Sequence, residues 1–289
     1  MRTIGVVGAG TMGVGIAQLA AQAGARTLLH DPVEGATGRG LQGIASALER
    51  GVQRGRWSTQ DSAAARGRLE EAPALEDLAP CELVIEAAPE NLELKAELFT
   101  ALAAITDGVL ASNTSSIPIT AIGGACGVPE RVVGMHFFNP PAAMGLLELI
   151  AGQDTSAAAL DLARAVGEAM GKRVVDAADG PGFLVNRCNR PFGLEAYRLA
   201  QERLATPEQI DRICRLGGGF RMGPFELADL VGIDTGFAVS QSFYELSYGE
   251  PRWRPSPLAA RMVAAGRHGR KTGRGWYAYD GDGPHRPED

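Results

Sequence analysis

Up to about Ala178 the chain alternates short apolar, β-branched runs with longer amphipathic stretches. The runs at residues 3–8, 27–30, 83–86, 109–112, 132–137, 146–150 and 173–177 predict strands. Between them, residues 12–23, 35–54, 92–105 and 156–170 predict helices. Strands that are apolar almost throughout are buried on both faces, and their alternation with helices specifies a mostly parallel sheet covered on both sides. The pattern changes at Asp179-Gly180-Pro181-Gly182. Two glycines around a proline fit a turn or a domain junction, not a helix interior or a central strand. Beyond it the strand signals stop. Residues 183–202 predict a helix, Thr206-Pro207-Glu208-Gln209 is a capping box with proline at the first helical position, and helical segments continue to about Ala265. The expectation is an α/β domain over residues 1–180, a smaller all-α domain over 181–289, and a frayed polar tail from Asp280.

Composition agrees with two globular domains: 289 residues, 45% hydrophobic and 21% charged. Glycine is the departure. There are 38, roughly twice the usual share of about 7%, and no Gly-X-Y period runs through them, so collagen is excluded. The net charge of −6 and the lack of a basic stripe argue against a nucleic-acid partner. No apolar run is long enough to span a bilayer, so no membrane role is expected. The chain enters its first strand from Met1 with no signal-peptide pattern. Cys81, Cys126, Cys188 and Cys214 are widely spaced, form no CxxC pair, and read as thiols of a reducing cytoplasm. The four histidines are equally dispersed and no metal is expected.

Gly8-Ala9-Gly10-Thr11-Met12-Gly13 matches G-x-G-x-x-G. It follows a predicted strand and opens an alanine-rich helix, which is the setting of a Rossmann-type dinucleotide site. Gly8 permits the tight turn, Gly10 lets backbone approach a pyrophosphate, and Gly13 allows close helix–strand packing. The amides around Thr11, Met12 and Gly13 then face the phosphates from the helix N-terminus. Asp31 ends the second strand, where a carboxylate accepts the adenosine ribose hydroxyls. Pro32 and Val33 follow it rather than an arginine, which favours NAD over NADP.

The remaining polar residues of interest lie at strand ends. His136 sits near the end of one apolar run and Glu148 inside the next. A lone histidine is ordinarily a packed or surface residue, but an unpaired carboxylate among Leu and Ile is costly. A pairing of the two makes a general base poised near neutral pH. Residues 112–116, including Asn113 and Ser115, follow another strand; they suit a nicotinamide ribose or a substrate oxygen, but a polar loop or the cap of a short helix is the plainer reading of the sequence alone. Glu90 and Lys95 likewise follow a strand and open a helix, and a solvated charge pattern is the alternative reading for them.

These residues resemble a family. Gly8–Gly13, Val84-Ile85-Glu86-Ala87, the Ser112–Ser116 block, His136-Phe137-Phe138-Asn139-Pro140, Pro181-Gly182-Phe183 with Asn186-Arg187, Met222-Gly223-Pro224-Phe225-Glu226-Leu227 and Lys271-Thr272-Gly273 together resemble the short-chain L-3-hydroxyacyl-CoA dehydrogenases, in particular the bacterial 3-hydroxybutyryl-CoA type. The resemblance implies NAD-dependent, reversible oxidation of an L-3-hydroxyacyl thioester. It implies His136 as the base, Glu148 as the carboxylate that orients it, and Ser115 and Asn186 as holders of the reacting oxygen. Glu90, Lys95, Ser115 and Asn139 match positions near the nicotinamide. Arg54 corresponds to a family lysine that meets the CoA phosphates, whereas Ala47 replaces a family serine. Gly145 stands where the family usually has a basic residue, and Pro89 is unusual before Glu90. These departures keep an acyl-carrier-protein substrate open as an alternative. A non-enzymatic structural protein on this fold is a second alternative, disfavoured because neither the dyad nor the glycine turn is damaged. Apolar residues on more than one face of residues 193–200 and 235–246 predict a homodimer through the helical domain.

Overall fold

The computed structural model describes residues 2–280. The chain divides into two compact units, Met1–Phe183 and Leu184–Asp289.

In the first unit, β1 (Thr3–Val7), β2 (Arg26–His30), β3 (Leu69–Glu71), β4 (Leu83–Glu86), β5 (Val109–Ser112), β6 (Val132–Phe137), β7 (Leu146–Ala151) and β8 (Arg173–Ala177) form one sheet. Its order is β3-β2-β1-β4-β5-β6-β7-β8. All neighbours pair in parallel except β6 and β7, which are antiparallel. The helices are α1 (Thr11–Gln22), α2 (Ala36–Gln53), α3 (Thr59–Arg66), α4 (Leu92–Ile105), α5 (Ile119–Cys126) and α6 (Ala157–Ala169).

Alternate strand residues feed two cores. Val6, Leu29, Ile85 and Leu149 pack with Ile16 of α1, Ile44 and Leu48 of α2 and Ala163 of α6. Val7, Leu28, Val84 and Ile150 pack with Phe99 and Leu102 of α4 and Ile122 of α5. The sheet is therefore covered on both faces, as near-continuous apolar strands require. The mostly parallel sheet and the helical segment after it agree with the sequence reading. Three elements escaped that reading. β3 is a three-residue edge strand of sequence Leu-Glu-Glu, too short and polar to show a period. α3 is announced by a Ser58–Asp61 capping box, and α5 contains the helix-weakening pair Gly123-Gly124.

Gly35, Gly38, Gly40 and Gly43 lie at the N-cap and in the first turns of α2, and no motif in the sequence accounts for them. Gly35 adopts φ 70° at the N-cap. A Cβ on Gly40 would stand 3.0 Å from a Val14 methyl and 3.2 Å from a Leu29 methyl. Only Gly38 and Gly43 of the four have open space around them.

The second unit contains α7 (Val185–Gln201), α8 (Pro207–Leu216), α9 (Pro224–Val231), α10 (Ile233–Leu246) and α11 (Pro257–Ala264). The expected capping box starts α8: Thr206 Oγ1 accepts the Gln209 N–H at 3.3 Å, and Gln209 Oε1 accepts the Thr206 N–H at 3.0 Å. Its core gathers Phe225, Tyr277, Ala196 and Ile210. Two buried carboxylates bind it together. Asp211 accepts the N–H groups of Phe225 and Glu226, both at 2.9 Å, and the Tyr277 hydroxyl at 2.8 Å. Asp229 accepts the N–H groups of Trp276 and Tyr277 and the Tyr279 hydroxyl. Burial raises both carboxyls above the ordinary aspartate range despite these donors. The expected frayed tail lies, past Asp280, outside the described residues.

Candidate active site

The glycine turn has the geometry that a dinucleotide needs. Gly8 adopts φ 103°, and a Cβ there would stand 2.7 Å from the Ala87 carbonyl oxygen. A Cβ on Gly13 would run into the Gly8 carbonyl oxygen, so α1 packs backbone to backbone on the end of β1. Gly10 has nothing within 4 Å of the same position, so its backbone is open to approach. Gly10 is also the N-cap of α1 and offers no side-chain cap. The first N–H groups of the helix, over Thr11, Met12 and Gly13, are thus left for an anion. Asp31 follows β2 and accepts the Ala9 N–H at 2.7 Å and the Val33 N–H at 2.9 Å. A cleft of about 260 Å³, lined by Gly10, Thr11, Val14, Arg39, Gly40 and Gly43, lies beside this turn. The chain therefore fits a pyrophosphate at α1 and a ribose near Asp31.

His136 and Glu148 are directly opposite one another across the β6–β7 pair. Both are buried, at 4% and 0% exposure. His136 Nδ1 lies 2.6 Å from Glu148 Oε2 and His136 Nε2 lies 3.1 Å from Ser115 Oγ. An ionised carboxylate can only accept, so Nδ1–H donates to Glu148 and Nε2 accepts the Ser115 hydroxyl. The arrangement is a base with one nitrogen fixed by a carboxylate and the other presented to a hydroxyl.

Ser115 is itself held by Glu90. One oxygen of Glu90 accepts the Thr114 hydroxyl at 2.6 Å, the Ser115 N–H at 3.0 Å, the Ser116 N–H at 3.0 Å and the Ser116 hydroxyl at 2.8 Å. Its other oxygen lies 3.6 Å from Lys95 Nζ. Burial opposes ionisation of Glu90, but the Thr114 hydroxyl, the Lys95 charge and the Ser116 and Ser115 donors outweigh it and hold the carboxyl below its ordinary range. Lys95 is not part of a solvated charge pattern: it is 1% exposed and donates to Glu86 Oε1 at 2.5 Å. Glu86 also accepts the Ser112 hydroxyl at 2.6 Å and the Ala88 N–H at 2.6 Å. Sequence reasoning gave Glu86 no role, although it is a carboxylate within an apolar run, as Glu148 is.

The other sequence candidates are placed as follows. Asn113 gives its amide oxygen to the Phe137 N–H at 2.9 Å, tying the residue after β5 to the strand that carries His136. Asn139 is exposed at the start of the β6–β7 connection. That connection is anchored by buried Lys172, which donates to the carbonyls of Pro141 at 2.6 Å and Met144 at 2.7 Å. Arg54 is the exposed C-cap of α2. Asn186 is the second residue of α7, in the second unit. Among the described residues, no group of three or more His, Cys, Asp or Glu is placed to hold a metal ion. No described helix is long and apolar enough to cross a membrane.

A doubly covered parallel sheet with a glycine turn between β1 and α1 defines the NAD-binding class of oxidoreductases. Comparison with known proteins narrows the class. The family model for the NAD-binding domain of 3-hydroxyacyl-CoA dehydrogenase matches residues 3–180, and the model for that family's C-terminal domain matches residues 182–279. The chain belongs to the 3-hydroxyacyl-CoA dehydrogenase family. It is 42% identical over 277 residues to the probable 3-hydroxybutyryl-CoA dehydrogenase of Deinococcus radiodurans, covering 95% of this chain and 99% of that one. It is 42% identical over 279 residues to the 3-hydroxyadipyl-CoA dehydrogenase of Escherichia coli, covering 96% of this chain but only 59% of that longer protein. The crystal structure of (S)-3-hydroxybutyryl-CoA dehydrogenase from Ralstonia eutropha superposes with a TM-score of 0.93 at 40% identity, over 97% of this chain and all of that one.

Proposed function

We propose that this chain oxidises the 3-hydroxyl of a short-chain L-3-hydroxyacyl-CoA, such as 3-hydroxybutyryl-CoA, to the 3-keto group, reversibly, with NAD as hydride acceptor. The observation that carries the reading is the relay from buried Glu148 through buried His136 to half-buried Ser115, with bonds of 2.6 and 3.1 Å. His136 Nε2 takes the proton of the substrate hydroxyl. Glu148 holds the ring by Nδ1 and stabilises the imidazolium as it forms. Ser115 and Asn186 hold the reacting oxygen, and Arg54 meets the CoA phosphates. Bound NAD supplies the nicotinamide that accepts the hydride. Gly8, Gly10 and Gly13 shape its phosphate turn, Thr11 and Met12 contribute helix amides, and Asp31 takes the ribose. Glu90, Asn113 and Asn139 would lie at the nicotinamide end, and buried Lys95 would act there through Glu86 and Glu90.

The NAD site belongs to residues 1–180. Residues 181–289 carry Asn186 and form the dimer, a reading supported by the exposure of Leu204, Ile213, Leu216 and Tyr248 in that unit. The enzyme works in the cytoplasm. The relatives above are named for CoA thioesters, which supports CoA rather than a carrier protein as the acyl bearer.

The test is His136→Gln with 3-hydroxybutyryl-CoA and NAD. Loss of a general base costs about 10²–10⁴ in kcat, and a variant with the parent kcat would overturn the assignment. A panel from acetoacetyl-CoA to longer and dicarboxylic ketoacyl-CoAs, with a carrier-bound analogue, at fixed NADH sets the chain length and the acyl bearer.

A further inference from the structure

Three described non-glycine residues have positive φ: Phe183 at 47°, Arg203 at 59° and Tyr248 at 55°. Arg203 and Tyr248 stand just beyond the ends of α7 and α10, where chains commonly turn left-handed to close a helix. Both are exposed. Phe183 has no such explanation. It follows Gly182, itself at φ 77°, and it precedes a helix rather than ending one. It is also 4% exposed. A bulky residue in this region is a genuine outlier, and the conformation persists only where the surroundings over-determine it. A glycine at 183 would carry no strain, so the strain is retained for the phenyl ring.

That ring belongs to the core cluster containing Phe99, Ile119 and Ile150. Its centroid lies 5.6 Å from the His136 imidazole, tilted by 58°. Phe138 is the second aromatic neighbour, at 4.6 Å and 55°. Among the described residues the imidazole has two polar partners, Glu148 at Nδ1 and Ser115 at Nε2. During the reaction Nε2 must exchange the serine for the substrate hydroxyl, which removes one of them. A ring held by a single hydrogen bond can swing about it unless packing prevents the swing.

We infer that Phe183 is a positioning residue for His136: its strained backbone locks a phenyl ring against the imidazole and keeps Nε2 aimed while Ser115 changes partners. The inference rests on His136 being the base. It predicts that Phe183 acts on turnover rather than on binding.

Phe183→Leu keeps an apolar side chain and removes the ring. Its kcat with 3-hydroxybutyryl-CoA and NAD falls about 10–100-fold, the cost of a modest misplacement of reacting groups, while both KM values hold. On the His136→Gln background the same substitution costs nothing further, because the ring acts through the imidazole. A folded Phe183→Leu with parent kcat overturns the inference. So does an equal loss of kcat on the two backgrounds, which marks a structural role independent of His136. If the leucine variant does not fold, Phe183→Met is read by the same criteria. His136→Gln alone separates the two claims. Parent activity there overturns the base assignment itself, whereas activity lost there but intact in Phe183→Leu overturns only the role of Phe183.

Discussion

Replacing Glu148 with glutamine takes one charge from a site that water barely reaches. Glu148 is fully buried and its Oε2 is 2.6 Å from His136 Nδ1, so the side chain sees the imidazole directly. In the proposed oxidation His136 gains a positive charge when it takes the hydroxyl proton. The carboxylate therefore stabilises the transition state and product far more than the ground state. At roughly 4 Å between charge centres and an effective dielectric of about 20, a full ion pair contributes about 4 kcal/mol. Glutamine still places an acceptor oxygen near Nδ1–H and recovers part of this. A net loss of about 3 kcal/mol corresponds to about 10²-fold in kcat. The assay is steady-state reduction of NAD by 3-hydroxybutyryl-CoA, followed by absorbance, with NAD affinity measured separately by calorimetry. The expected result is a lower kcat with KM and NAD affinity unchanged. An unchanged kcat, or a defect confined to NAD affinity, would remove Glu148 from the relay.

Two other perturbations test the surroundings. Glu90→Gln loosens the turn carrying Ser115 and changes the acid sensitivity of the fold. Because the folded Glu90 carboxyl is held below its ordinary 4.5, its stabilisation is full above the unfolded value and is lost as pH falls through the depressed one. The melting temperatures of parent and variant should differ by a constant amount above about pH 5 and converge as pH falls through the depressed value; a gap independent of pH contradicts the electrostatic account. In α2, Gly38→Ala should stabilise by up to about 1 kcal/mol, since its Cβ position is open. Gly40→Ala should destabilise, because Val14 and Leu29 must move; urea midpoints shifting in the same direction for both would refute the packing argument.

Apart from β3, α3 and α5, the strands and helices of the first unit were legible because their period reports burial directly. The ends of those strands were legible too, and with them the positions of Asp31, His136 and Ser112. What could not be read was partnership. Lys95 and Glu90 look like surface charges along α4, yet Lys95 is buried against Glu86, nine residues away. Glu90 reaches across to residues 114–116, twenty-four to twenty-six positions on. Such contacts are set by which strands lie side by side, here β4 beside β5, and a local pattern carries no trace of that order. Phe183 was quoted only as part of a motif, because a left-handed φ at a phenylalanine is invisible in composition and spacing.

The dyad is the exception, and strand direction explains why. In a parallel sheet, neighbouring residues on adjacent strands are separated in sequence by a whole crossover. β7 reverses that rule by pairing antiparallel with β6. The chain returns at once, and the third residue of β7 falls opposite the fifth of β6. Glu148 thereby meets His136 after only a short connection, which is why two residues close in sequence could be suspected of acting together. The same reversal leaves that connection beside the carboxyl ends of β1, β4 and β5, where the glycine turn and the Ser115 loop begin. Lys172 and Asn113 then fix it, through the carbonyls of Pro141 and Met144 and the N–H of Phe137. One antiparallel pairing in an otherwise parallel sheet thus brings His136 and Glu148 together in a site whose remaining parts come from distant segments.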